Sequence, residues 1–158
     1  TDNGGTGVLG IRYRLDSGRD TTYTVPFTTT KAGARSLDYW SVDNAGNVEP
    51  RHHVHFTVLM GTYVSITSNH TSITHKHPVV FSGHISTTQP TNTHVYVYVK
   101  RPGSKTWSYL STRHTTSTHH WSYSCAPSYK GTWYFMVKFK GTSRYAASHS
   151  VERRITVR

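Results

Sequence analysis

The chain has 158 residues, which is enough for one large or two small domains. Only 34% of the residues are hydrophobic, and no apolar run approaches the roughly 18 residues of a membrane-spanning helix. A single cysteine, Cys125, excludes an intrachain disulfide, so packing alone must hold each domain together. The net charge of +11 makes an anionic partner a candidate.

The N-terminal part alternates apolar and polar residues with the period of half-buried β-strands. The pattern predicts five strands, near residues 8–16, 21–25, 27–30, 35–42 and 52–59. Between the last two, Asp43 and Asn44 can bond their own backbone, and Gly46 can take a positive φ. These residues predict a tight turn and therefore a β-hairpin at the end of a small all-β domain.

A boundary falls after Met60, where a new alternating run begins. The remaining part, 61–158, contains seven short strand-like runs with turn residues between them, which is the count of an immunoglobulin-like sandwich. Their apolar markers are Val64 and Ile66; Val79, Phe81 and Ile85; Val95, Val97 and Val99; Trp107 and Tyr109; Trp121 and Tyr123; Trp133, Phe135 and Val137; and Val151, Ile155 and Val157.

The segment 41–49, with the sequence SVDNAGNVE, resembles the closing hairpin of Ig-like and fibronectin-III-like repeats in bacterial surface and secreted proteins. The segments 79–83, 100–107, 130–134 and 143–148 resemble pieces of a second repeat of this kind. The resemblance implies two tandem Ig-like β-sandwich modules, 1–60 and 61–158, of an extracellular or cell-surface protein. It implies no single function, because such modules serve as spacers, adhesins, pilus subunits and enzyme accessories.

The resemblance also implies that the first module lacks its opening strands. The repeat normally opens with two strands before a turn that corresponds to residues 1–7 here. Inward residues would then face water; they are Ile11, Tyr13, Leu15, Leu37 and Tyr39. Upstream residues of the same polypeptide, or a strand donated by a neighbouring subunit, are expected to complete the module.

The second module carries two candidate binding features. If the valines of the third strand and the aromatic residues of the sixth point inward, four large side chains must point outward, namely Tyr96, Tyr98, Tyr134 and Met136. This contact surface is open to three interpretations: a protein interface, which we favour among the functional ones, a sugar-stacking platform, or tyrosines that simply suit a strand.

The charge is concentrated in the second module. Residues 1–60 hold six basic and six acidic side chains, whereas 61–158 hold twelve basic ones and one carboxylate, Glu152. Acidic polysaccharide, an anionic cell-wall polymer or an acidic partner domain fits this charge; no nucleic-acid motif appears. The predicted polyanion-binding residues are Lys100, Arg101, Lys105, Lys138 and Lys140. A solvated basic surface without a dedicated partner is the alternative.

Histidines and cysteine give little support to metal binding or catalysis. The clusters at residues 52–55, 75–77 and 119–120 match no known zinc spacing and have almost no carboxylate nearby. Cys125 shares the inward phase of Trp121 and Tyr123, which predicts a core residue. With Glu152 as the sole acid, the second module has no carboxylate pair. We therefore expect no enzyme, no cofactor and no metal.

These observations predict a structural or adhesive module pair that contributes to a fibre, a stalk or a protein–protein contact. The expected partners are neighbouring subunits or domains of the same protein. The alternative is a carbohydrate-binding accessory module of a secreted enzyme.

Overall fold

The computed structural model describes residues 7–86 and 91–158, and within them it is built from strands alone. The all-β prediction is therefore confirmed. The chain divides into two compact units, Thr1–Met60 and Gly61–Arg158. Among the described residues, no helix of the length and apolarity needed to span a membrane occurs.

The first unit is a single antiparallel sheet over its described residues. Its strands are β1 (Val8–Leu15), β2 (Thr21–Thr22), β3 (Gly33–Asp43) and β4 (His52–Val58), and their order is β2-β1-β3-β4. Tyr13 lies opposite Tyr39 in the β1–β3 pairing, and Leu37 lies opposite Val54 in the β3–β4 pairing.

Two of the expected strands differ from the observed ones. The strand predicted near residues 27–30 is not formed, and the one predicted at 21–25 ends at Thr22. Beyond Thr22, the Tyr23 N–H still donates to the carbonyl oxygen of Ile11 at 2.8 Å, and Pro26 has no N–H with which the ladder could be extended. Phe27 instead stacks on Tyr13, with ring centroids 4.4 Å apart. Of the turn expected at residues 1–7, residues 1–6 lie outside the described part.

The turn between β3 and Val48 has the predicted chemistry. The carboxylate of Asp43 accepts hydrogen bonds from the backbone N–H groups of Ala45 at 2.9 Å and Asn47 at 2.8 Å. Gly46 has a φ of 86°. The carboxylate is thus committed to closing the hairpin, as Asx residues commonly do.

Glu49 fastens the returning chain to β3. Its carboxylate accepts hydrogen bonds from the Ser41 hydroxyl at 2.8 Å and the Ser41 backbone N–H at 3.1 Å, and it lies 3.0 Å from the His52 ring. The contact with His52, followed by the two from Ser41, lowers the pKa of Glu49 to about 2. Because the pKa is lowered, this contribution to stability is complete above the usual carboxyl pKa and is lost as the pH falls toward 2.

One face of this sheet is largely uncovered. Ile11, Tyr39 and Val54 share it by register, and they are 45%, 39% and 43% exposed. The expected exposure is thus observed at Ile11 and Tyr39, whereas Tyr13, Leu15 and Leu37 are half-buried. The one buried hydrophobic side chain described in this unit, Trp40, lies on the opposite face beneath the Arg51 guanidinium.

The second unit is a two-layer sandwich. One sheet contains β5 (Thr67–Ser68), β7 (Val79–His84) and β10 (His120–Cys125), in the order β10-β7-β5. The other sheet contains β6 (Ser72–Ile73), β8 (His94–Lys100), β9 (Ser108–His114), β11 (Gly131–Phe139), β12 (Ser148–His149) and β13 (Arg153–Val157). Their order is β6-β13-β11-β8-β9, and β12 pairs with β11.

This order is that of an Ig-like sandwich. β6 runs parallel to β13, and the other pairings of these sheets are antiparallel. Several predicted markers lie outside the observed strands. Ile66 precedes β5, and Trp107 precedes β9. Val64 forms only an isolated bridge to Ile85, and Val151 is 76% exposed ahead of the last strand.

The core lies between the two sheets. Phe81 of β7 packs on Phe135 of β11 with ring centroids 4.2 Å apart, and both side chains are almost fully buried. Cys125 is half-buried beside a cavity of about 140 Å³ that Trp133 and Phe135 also line. Burial raises the pKa of its thiol to about 11, so the group stays protonated at neutral pH, as expected of a packing residue.

Gly83 lies where backbone and an indole ring approach it closely, and it gives a test of the packing. A Cβ atom there would clash with the Ser65 carbonyl oxygen and would lie 2.9 Å from the Trp121 indole nitrogen. We expect Gly83→Ala to lower the free energy of unfolding by about 1–3 kcal/mol or more, since backbone must move to admit the methyl group. The control on the same strand is Val80→Ala, whose side chain is 40% exposed. Equal denaturation midpoints for both variants would contradict this packing.

Candidate functional site

The candidate site is the outward face of strands β8 and β11. Along β8, Val95, Val97 and Val99 are buried, so Tyr96, Tyr98 and Lys100 point outward. Along β11, the residues of the same outward set are Tyr134, Met136 and Lys138, and the register places them opposite Lys100, Tyr98 and Tyr96 in turn.

Lysine side chains lie over the rings of this face. The ammonium of Lys140 is 4.1 Å from the centroid of the Tyr96 ring, and that of Lys138 is 4.9 Å from Tyr98. Lys100 lies between two rings, 4.8 Å from Tyr134 and 4.9 Å from Trp107. These distances are within the range of cation–π attraction. We call the surface formed by Tyr96, Tyr98, Lys100, Tyr134, Lys138 and Lys140 the Lys–Tyr face.

Most of the lysines of the Lys–Tyr face have no carboxylate partner among the described residues. Lys100 forms an ion pair of 3.6 Å with Glu152, whose side chain is 48% exposed. Glu152 is the only Asp or Glu residue in 61–158. Among the described residues, Lys138 and Lys140 have no carboxylate within ion-pairing distance. The face therefore keeps most of its positive charge.

The expectation that four large side chains face water is wrong at Met136, which is only 7% exposed. This residue lies on a strand with β8 on one side and β13 on the other, directly opposite Tyr98. The three tyrosines are half-buried. Lysines lie above their rings. Tyr109 also lies on this side of the sheet, although the sequence pattern did not predict it there. It is 57% exposed, and its ring meets that of Tyr98 edge-on with centroids 6.0 Å apart.

The five predicted polyanion-binding residues do not all lie together. Lys100, Lys138 and Lys140 share the Lys–Tyr face. Arg101 instead lines the cavity beside Cys125, and Lys105 is exposed in the loop between β8 and β9.

The histidine clusters singled out in the sequence have other partners. His53 lies 2.7 Å from the Asp38 carboxylate, and the ring of His75 is 2.7 Å from the carbonyl oxygen of Ser128. No group of three or more potential ligand side chains occurs in residues 7–86 and 91–158. The closest histidine pair is a different one, His94 and His114, which face each other across β8 and β9 with ring centroids 4.1 Å apart.

Comparison with known proteins gives structural neighbours only: no family model and no curated protein matches the sequence. Fibronectin(III)-like modules of CbhA from Clostridium thermocellum are similar at a TM-score of 0.45 and 16% identity, over 99% of this chain and 80% of that one. The D00-D0 domain of intimin is similar at a TM-score of 0.44 and 12% identity, over 97% and 87%.

Proposed function

We propose that the chain is a structural or adhesive module pair of an extracellular surface protein, and that its second unit holds an acidic polymer on the Lys–Tyr face. Acidic polysaccharide and anionic cell-wall polymer are the ligand class. The observation that carries this proposal is the set of three lysines held over tyrosine rings in a unit with one acidic side chain. Ordered ammonium groups without nearby carboxylates suit a chain of repeated anions.

The same geometry argues against the alternative, a carbohydrate-binding accessory module that stacks neutral sugars. Such a platform needs accessible ring faces, and here the faces of Tyr96, Tyr98 and Tyr134 carry lysine ammonium groups. A neutral sugar would have to displace each lysine, at a cost of about 0.5–1 kcal/mol for each exposed cation–π contact. An anionic sugar would instead pair with the same lysines. We propose no catalytic role, since Glu152 stands alone as a carboxylate in this unit.

Salt and substitution test the proposal in the whole protein. We expect binding of polygalacturonate to weaken more than about tenfold between about 0.05 M and about 0.5 M NaCl, because exposed charges are screened within about 10 Å at 0.1 M salt. Lys138→Gln with Lys140→Gln should weaken low-salt binding by a similar factor. The control, Lys76→Gln with Lys130→Gln, removes the same charge from loops outside β8 and β11. Equal losses for both pairs, or salt-independent binding, would contradict the proposal.

We further propose that the uncovered sheet face of the first unit is closed by β-strands that alternate apolar residues. Its support is the exposure of Ile11, Tyr39 and Val54, since burying such a side chain stabilises a fold by about 1.5–3 kcal/mol. The strands would come from another segment of the same polypeptide or from a neighbouring subunit. Strand donation between subunits would also link modules into a fibre.

Hydrogen exchange of the 158-residue protein tests this closure. If the covering strands come from outside the chain, amides of β1, β3 and β4 should exchange much faster than those of β7, β8 and β11 in a monomer. If a second copy supplies them, slow exchange in the first unit should accompany a dimer or larger assembly. A monomer whose two units are equally protected would contradict the proposal.

A further inference from the structure

One end of the Lys–Tyr face opens into a cleft of about 280 Å³. Its polar lining includes Asn92, His94, Lys140 and Thr142, and Tyr96 contributes an aromatic wall. The hydroxyl oxygen of Thr142 accepts hydrogen bonds from the backbone N–H groups of Arg144 and Tyr145, both at 3.2 Å, which leaves its own hydrogen to donate. The cleft is just below the usual 300–1,000 Å³ of small-molecule sites, so it suits one sugar residue rather than a longer ligand.

The histidine pair borders this cleft. His94 lines it, and the ring of His114 lies 4.1 Å from that of His94. Nδ1 of His114 is 3.0 Å from the side-chain oxygen of Asn92. Because an amide oxygen only accepts hydrogen bonds, Nδ1 of His114 is the donor in this contact.

The charges around the pair are positive. Lys140 lines the cleft and lies over Tyr96, and the preceding outward residue, Lys138, is opposite His149. Arg113 pairs with buried Val95 and therefore lies on the opposite face of the sheet, where its guanidinium is 5.0 Å from the ring centroid of Tyr123. The one carboxylate of 61–158 pairs with Lys100, at the other end of β8. Two imidazolium groups so close repel each other, so a bound anion would favour their protonation.

We propose that this cleft is a subsite for one carboxylate-bearing sugar residue of an acidic polysaccharide, and that protonation of the His94–His114 pair strengthens its binding. Lys140 supplies a permanent charge for the carboxylate, and the Thr142 hydroxyl supplies a donor to the sugar. The inference rests on the proposed function for its ligand class. It adds a defined place for one sugar residue of the polymer. It also adds a dependence on pH that lysines alone would not give, because lysine stays charged throughout the range in which histidine titrates.

The experiment is calorimetric titration of the whole protein with trigalacturonate at about pH 8 and about pH 5.5, at constant ionic strength. The ligand stays ionised at both, since its carboxyl groups have pKa values of about 3.5. We expect about threefold to tenfold tighter binding at the lower pH, where one unit of ligand-induced pKa change equals tenfold. His94→Gln with His114→Gln should reduce this ratio below about twofold. The control His77→Gln, in the loop between β6 and β7, should keep the wild-type ratio.

Two further ligands separate the possible failures. The methyl ester of trigalacturonate is neutral, and its affinity should be at least about tenfold lower, because each tenfold corresponds to about 1.4 kcal/mol of lost charge pairing. Salt-dependent binding of polygalacturonate together with a pH ratio that the histidine variant leaves unchanged would overturn the cleft and keep the Lys–Tyr face. Binding of neither polymer nor trisaccharide would overturn the proposed function. Equal, histidine-dependent binding of a single-stranded oligonucleotide of matched charge would overturn the ligand class.

Discussion

The strict alternation along β8 and β11 is the constraint on which the second unit depends. The valines of β8 and the aromatic residues of β11 fill the core, so the pleat sends every residue between them to the other side. Antiparallel register then fixes which outward residues become neighbours, such as Lys138 and Tyr96. A one-residue slip would bury lysines and expose valines, so the fold and the charged face are specified together.

The two units differ in how their sheets are covered. In the second, Phe81 meets Phe135 across the sandwich, and each sheet covers the other. In the first, the described strands form one layer. Local hydrogen bonds connect its segments: Asp43 accepts one from the Asn47 N–H in the turn, and Glu49 accepts one from the Ser41 hydroxyl. Such turn contacts specify a hairpin but bury little apolar area. Ile11 and Val54 therefore stay exposed although their strands are paired.

The sequence was sufficient for features that depend on local periodicity. Alternation located most strands and the outward direction of Tyr96 and Tyr98, and residue type located the turn at Asp43. Features set by tertiary position were missed. Met136 follows the outward phase yet is shielded, and the strand expected at residues 21–25 ends at Thr22 although the apolar pattern continues. The His94–His114 pair depends on the register between β8 and β9. That register shifts between Val97 and Tyr98, so the length of the connecting loop does not predict which residues lie opposite each other.

The central claim is that ordered lysines over tyrosine rings form the anion-binding surface. Its most direct test is an NMR titration with oligogalacturonate that follows the lysine ε-methylene and tyrosine ring signals of the whole protein. The account predicts saturable shifts at Lys138, Lys140, Tyr96 and Tyr98, because an arriving carboxylate must change the ammonium–ring contacts measured at 4.1 Å and 4.9 Å. Saturable shifts confined to other basic residues, with these four signals unmoved, would contradict it.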